Sequence, residues 1–152
     1  MKTKAVVLDV DGVILDTAFL FDDIFSLGIK GDAMWDYFHE HCNSDEVHLM
    51  KGFYSFYLNL FDMKVHSGVE FILLTSRNEK VRKQTERKLR EEGIFYDRLY
   101  MRPNNDYREA HILKQETLRV LQKEYNILCF VDDDLKNCEA AKELGIYTMR
   151  KV

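Results

Sequence analysis

The chain alternates between short apolar runs and longer amphipathic stretches. Residues 4–10 (KAVVLDV) are β-branched and aliphatic and then stop at an acid and a glycine, the pattern of a strand buried on both faces of a parallel sheet. Residues 69–75 (VEFILLT) and 126–131 (NILCFV) repeat it, and weaker strand patterns lie at 98–101 (RLYM) and 146–149 (IYTM). Helical patterns fill the intervals. Residues 45–66 follow Asn43 and Ser44, which can cap, with Glu46 three residues beyond Asn43. Met50, Phe53, Tyr57, Phe61 and Val65 recur there at helical spacing and read as a core-facing stripe. Residues 79–92 are rich in Lys, Arg and Glu and end at Gly93, a natural helix stop; they read as a solvated face and not as a nucleic-acid patch. Residues 109–125 and 135–144 complete the set. Strands alternating with helices predict an α/β chain whose mostly parallel sheet is covered by helices on both faces. Residues 17–44 interrupt the alternation and hold Phe19, Phe21, Phe25, Trp35, Tyr37 and Phe38.

Composition narrows this picture. A length of 152 residues with 46% hydrophobic and 32% charged residues predicts one soluble domain with its own core. There is no Pro/Gly-rich linker, and Pro103 is the only proline. A net charge of −4 argues against a general polyanion-binding surface, though not against one basic pocket. The three cysteines, Cys42, Cys129 and Cys138, form no CxxC and are read as thiols, which fits a cytoplasmic chain. No apolar run approaches the roughly 20 residues of a membrane span, and the N-terminal stretch lacks a signal-peptide pattern.

Ligands of open α/β sheets bind outside the carboxyl ends of the strands. The first strand delivers Asp9-Val10-Asp11-Gly12 to that rim, two carboxylates with a glycine that permits a sharp turn. The second delivers Thr75-Ser76-Arg77-Asn78, a hydroxyl and a cation suited to phosphate oxygens. The strand at 126–131 delivers Asp132-Asp133-Asp134, acids that repel one another and call for a cation. Magnesium suits a few carboxylates together with water and a substrate phosphate. Lys114, early in the helix before that strand, can reach the same rim. Each motif alone has an ordinary explanation: a cap, a turn, a solvated acid cluster. Their order, each after an apolar strand, does not.

DVDGV, LLTSR, Lys114 and FVDDD together resemble the motif set of the haloacid dehalogenase (HAD) superfamily of phosphohydrolases, with Val13 where Thr is commoner. Three longer stretches, LLTSRNEKVRKQTERKLREEGI, YDRLYMRPNNDYREAHILKQETL and FVDDDLKNCEAAKELGI, resemble the 3′-phosphatase domain of phage-type polynucleotide kinase-phosphatases. The resemblance implies a Rossmann-like fold with residues 17–44 as a short helical cap after the first strand. It implies Asp9 as nucleophile, Asp11 as general acid and base, and Mg2+ between Asp9, the main-chain carbonyl of Asp11 and an acid of the third cluster, for which Asp132 and Asp133 are the candidates. It implies Thr75 and Lys114 as phosphate clamp, with Arg77 and Arg102 as further candidates for substrate phosphate; Arg77 is read as orienting the substrate or the loop, and for Arg102 the competing reading is a surface salt bridge with Asp106 or Asp97.

Other residues carry plainer readings. His39 and His41 are two apart on an expected helix, so they diverge. His111 reads as a surface histidine and Cys129 as core. The cap aromatics read first as packing and second as a platform for a base. The expected activity is therefore magnesium-dependent hydrolysis of a phosphomonoester through an aspartyl-phosphate, on a polynucleotide 3′-phosphate or a nucleotide. The alternatives are a small-metabolite phosphatase and a non-catalytic HAD-fold binding module. No GxxxxGKS/T P-loop is present, so this chain is not itself a kinase of that type.

Overall fold

The computed structural model describes residues 1–152. Five strands form one parallel sheet: β1 (Thr3–Leu8), β4 (Glu70–Asn78), β5 (Arg98–Arg102), β6 (Tyr125–Asp132) and β7 (Thr148–Arg150), in the order β5-β4-β1-β6-β7. The register sets Leu8 beside Leu73 and beside Val131. The residues that follow β1 therefore emerge between the ends of β4 and β6. This is the Rossmann-like α/β arrangement expected of the chain.

The alternation of side chains along the central strands fills two cores. Val6, Leu8, Phe71 and Leu73 face one, and Ala5, Val7, Ile72 and Leu74 face the other. Helices α4 (Arg82–Glu91), α5 (Ala110–Glu124) and α6 (Leu135–Glu143) carry the crossovers. No helix is long and apolar enough to cross a membrane. Cys42 and Cys138 are buried, Cys129 is half-buried in β6, and all three are free thiols.

The helix expected over 45–66 is shorter. Helix α3 begins at Phe53 and runs to Ser67, after Gly52 in the left-handed region at φ 82°. The residues before it are drawn into other contacts. A two-residue strand β3 (His48–Leu49) pairs antiparallel with β2 (Leu15–Asp16), Val47 is buried, and the Met50 amide donates to the carbonyl of Ile14. Asn43, expected as a cap, is spent elsewhere. The stripe divides too: Phe53 and Tyr57 are buried, whereas Phe61 and Val65 are exposed.

Between the β-ribbon partners lie α1 (Ala18–Ser26) and α2 (Asp32–His41). Leu20, Ile24, Phe38 and Cys42 form a small core of their own. Trp35 meets Phe21 and Phe38 edge-on at ring centroid distances of 6.2 Å each, yet remains half exposed. Phe38 thus packs the segment from within, Phe21 and Trp35 lean on it from the surface, and Phe25 stands exposed.

Candidate active site

Asp9 is the first residue beyond β1. Its amide donates to the carbonyl of Val131, which ties the turn to β6. Its Oδ1 accepts the Val10 amide at 2.9 Å and the Lys114 ammonium at 2.9 Å. Oδ2 is left without a protein donor, the oxygen free for other business.

Lys114 crosses from the first turns of α5 and bridges two acids, reaching Asp132 Oδ2 at 2.7 Å. Burial alone would lower the ammonium; Asp9 and Asp132 outweigh it and hold it above its ordinary value. Burial pushes the Asp9 carboxyl well up against the pull of Lys114, and the charges of Asp132 and Asp11 add to the push. Such a cluster is costly to hold together without compensating charge.

Asp132 is fully buried and heavily engaged. Its Oδ2 takes Asn137 Nδ2 at 3.1 Å in addition to Lys114, and its Oδ1 takes the Asp134 amide at 2.9 Å. Asp133 keeps much of its surface exposed, though its carboxylate lies over Gly12, and partial burial followed by the Asp132 charge raises that carboxyl. Asp134 caps α6 through the Asn137 amide, outside the acidic pair. Carboxylate oxygens of Asp9, Asp132 and Asp133 lie within 4.8 Å of one another. Three hard oxygen donors at that spacing fit magnesium. Gly12 fits the same picture: at φ +81° it stands where a Cβ would lie 2.1 Å from Asp133 Oδ2. Only glycine permits both the turn and the approach of that carboxylate.

Thr75 is buried near the end of β4, two residues beyond Leu73, whose partner in β1 is Leu8. Its Oγ1 accepts the Arg77 amide at 3.1 Å, and its own hydroxyl proton remains available to donate. Thr75 and Lys114 both line a cavity of about 210 Å³ that extends toward Ser76, Arg102 and Arg108. A larger cleft of about 570 Å³, between α2 and the start of α4, is lined by His39, Lys80 and Gln84; neither cavity is lined by Asp9, Asp11, Asp132 or Asp133.

Arg77, expected among the phosphate contacts, is given another task. All five of its N–H groups are taken by protein acceptors. Nε and Nη2 fork onto Asp11 at 2.9 and 2.7 Å, Nη1 donates to Asn43 Oδ1 and Thr85 Oγ1, and Nη2 also reaches the Cys42 carbonyl. Thr17 Oγ1 adds a third donor to Asp11 at 3.0 Å. Arg77 therefore joins the flap to Asp11 and has no donor left for a ligand. Arg102 makes neither of the salt bridges weighed for it; it donates to the carbonyls of Ser76, Asp106 and Arg108. Asp106 and Arg108 pair with each other at 2.8 Å.

The two flap histidines diverge. His39 Nε2 accepts the Asn78 amide at 3.1 Å, while the His41 ring lies tilted by 40° against Tyr37 at a centroid distance of 4.2 Å. His111 is half-buried and lies 3.4 Å from Glu109. Three polar residues of the site region have no reading in the sequence, Thr17, Thr85 and Asn137, and Asn43 has only that of a cap. Only Asn137 carried a local signal, as a polar residue in the first turn after the acid triplet.

The comparisons with known proteins agree with this geometry. Residues 1–150 match the family described as HAD superfamily, subfamily IIIB (acid phosphatase). No curated protein sequence matches the chain. Among solved structures, a chain of the Pnkp1/Rnl/Hen1 complex is 26% identical with a TM-score of 0.73, over 98% of this chain and 46% of that one. A second structure, described as the Pnkp1/Rnl/Hen1 RNA repair complex, gives 26% and 0.74 over 98% and 42%. This chain thus spans less than half of those relatives. The class C acid phosphatase from Bacillus anthracis with tungstate bound shares the fold at 16% identity and a TM-score of 0.68, over 100% of this chain and 69% of that one. The chain belongs to the haloacid dehalogenase superfamily, subfamily IIIB, and is a phosphatase of that type.

Proposed function

We propose that this phosphatase is magnesium-dependent, works through an aspartyl-phosphate on Asp9, and acts on a phosphomonoester at a polynucleotide 3′ end or on a nucleotide. The observation that carries the mechanism is the Lys114 ammonium bridging Asp9 and Asp132, which leaves Asp9 Oδ2 as the one oxygen of that carboxylate with no protein donor.

In this reading Asp9 Oδ2 attacks phosphorus and the bond to the leaving oxygen breaks. Asp11 gives its proton to that oxygen. Water then attacks the aspartyl-phosphate, its proton passes to Asp11, and the Asp9–phosphorus linkage opens to release phosphate. Thr75 and Lys114 hold the phosphoryl oxygens as charge builds on them. Arg77 orients Asp11 and touches no substrate. Magnesium held by Asp9, Asp132, Asp133 and the main-chain carbonyl of Asp11 would offset the repulsion between an anionic nucleophile and an anionic phosphate. Asp133 is the freer of the acid pair, because Asp132 already accepts three protein donors.

The likeness to Pnkp1 chains supports a nucleic-acid end as substrate. The acid-phosphatase description of the family favours a second reading, a small phosphate ester. The flap is small and leaves room for either. The test is a panel of 3′-phosphorylated oligonucleotides, nucleoside monophosphates and sugar phosphates with magnesium. Turnover of sugar phosphates alone would remove the polynucleotide reading. Folded Asp9→Asn protein that still turns over would remove the mechanism.

A further inference from the structure

Helix α3 has three faces, and the fold of one chain accounts for two of them. Phe53, Tyr57 and Leu60 are buried in the core, and Ser55, Asn59, Asp62 and His66 lie in solvent. Between these faces run Tyr54, Leu58, Phe61 and Val65. Their spacing of four, three and four residues sets the side chains in one stripe about 16 Å long. The stripe adjoins the core, since the Tyr57 ring centroid lies 6.2 Å from that of Tyr54 and 6.1 Å from that of Phe61. Phe95, in the turn after α4, widens it. The Phe95 amide donates to the Tyr57 hydroxyl at 3.1 Å, and its ring centroid lies 5.2 Å from the Lys64 ammonium. All five apolar side chains are between 41% and 64% exposed. Scattered apolar residues on a surface need no explanation, but a contiguous row with the alternation of a coiled-coil seam does.

The seam is complementary to itself. A two-fold axis across α3, midway between Leu58 and Phe61, sets two copies of the helix antiparallel. Leu58 of each copy then meets Phe61 of the other, and Tyr54 meets Val65, a large side chain against a smaller one each time. The polar edge matches as well. Ser55 falls beside Asp62 of the other copy, where a hydroxyl can donate to a carboxylate. Lys51, just ahead of α3, comes to the carboxyl end of the facing helix, where the dipole favours a cation. A parallel pairing would instead set Asp62 against Asp62 and align the two dipoles.

The area is sufficient for a weak dimer. Half of each side chain is about 100 Å², so about 500 Å² of apolar surface is open per copy and about 1,000 Å² in the pair. That reaches the lower bound of a specific interface. None of the five residues lines either cavity described above, so the pairing leaves both free.

We propose that α3 is the interface of a homodimer in which two copies of this chain pair antiparallel through Tyr54, Leu58, Phe61 and Val65. Nothing in the pairing depends on which phosphate ester the chain hydrolyses.

Sedimentation velocity of the full chain over about 1–500 µM tests it, with a monomer–dimer Kd on the order of 10 µM expected. Leu58→Lys and Phe61→Glu are each expected to weaken association at least roughly hundredfold, because every substitution occurs twice in a two-fold interface. Both positions are exposed, so an unchanged Tm shows that the variants fold. An equimolar mixture of the two variants is expected to recover much of the association, since the antiparallel register sets the introduced lysine directly against the introduced glutamate. Recovery in a mixture of Leu58→Lys with Leu58→Glu, and not in the first mixture, would mark a parallel pairing and overturn the register. Phe25→Glu, on the exposed side of the flap, is expected to leave the Kd unchanged. A chain still monomeric at about 500 µM leaves the stripe to another partner and overturns the proposal. A dimer indifferent to Leu58→Lys, or one dissolved by Phe25→Glu, overturns it equally.

Discussion

Asp11 meets Arg77 through both carboxylate oxygens, at 2.7 Å from Nη2 to Oδ1 and 2.9 Å from Nε to Oδ2. The Arg77 side chain is fully buried and Asp11 keeps 22% of its side-chain surface. The remaining donors of the guanidinium go to the flap's last turn and to α4, so the orientation of Asp11 is tied to the seating of the flap. Arg77→Lys keeps a charge but cannot make the fork. It is expected to cost about 2–3 kcal/mol of stability, less than a fully buried pair because Asp11 meets water. Turnover is expected to fall by roughly 10–100-fold on esters with poor leaving groups and much less on 2,4-dinitrophenyl phosphate, whose departure needs little proton assistance. Urea denaturation and the two rate constants check this; an equal loss on both esters would remove the link to Asp11.

Gly12 and Asp133 form the tightest steric pair of the site. A Cβ at residue 12 would fall 2.1 Å from Asp133 Oδ2 on a backbone at φ +81°. Gly12→Ala is expected to cost about 1–2 kcal/mol from the backbone conformation alone. It is also expected to swing Asp133 away and weaken magnesium affinity at least roughly tenfold. A magnesium titration of activity or of Tm reads both effects. An unchanged midpoint would mean that Asp133 is not part of the metal site.

The strands that position these residues were legible because each is an apolar run ending in a polar motif, and all five were placed within a few residues. Asp9, Thr75 and Asp132 follow from that alone, since the ends of adjacent parallel strands converge. The flap and the start of α3 were not legible. A two-residue ribbon such as Leu15–Asp16 with His48–Leu49 carries no periodic signal, and Gly52 stops a helix that side-chain spacing alone would extend. The task of Arg77 was hidden for another reason. Its partners lie 66 and 34 residues away along the chain, and a buried fork and an exposed phosphate contact use the same side chain.

His39 anchors the flap as an acceptor. Its Nε2 takes the Asn78 amide at 3.1 Å, and burial followed by the charge of Lys80 lowers its pKa below the ordinary 6.5. Protonation would replace the acceptor by a donor facing a donor. A lowered folded-state value means the contribution is present above 6.5 and is lost as pH falls through the lower folded value. Hydrogen exchange at the Asn78 amide, corrected for the intrinsic pH dependence, is expected to lose protection as the solution is acidified below that range, while amides of β1 keep theirs. In His39→Phe the protection is expected to be low at every pH. Persistent protection in that variant would show that the flap is held by other contacts.

At the proposed metal site, magnesium and protons would compete for the same carboxylates, and the direction of the shifts fixes how. Burial raises Asp9 and Asp133 above the ordinary 3.8. With a raised folded-state pKa, their contribution to stability is present below the unfolded value and is lost as pH rises through the folded one. Without metal, Tm is therefore expected to carry a growing penalty from this cluster as both acids ionise. A bound cation needs the ionised form and removes the repulsion, so its stabilisation grows as protons leave. The rise in Tm on adding magnesium is expected to be small at about pH 5 and several degrees larger at about pH 8. In Asp133→Asn the penalty and the magnesium effect are expected to shrink together, because the same carboxylate produces both. Thermal melts across that range, with chelator or with magnesium, check the coupling. A magnesium increment independent of pH would place the ion away from Asp9 and Asp133.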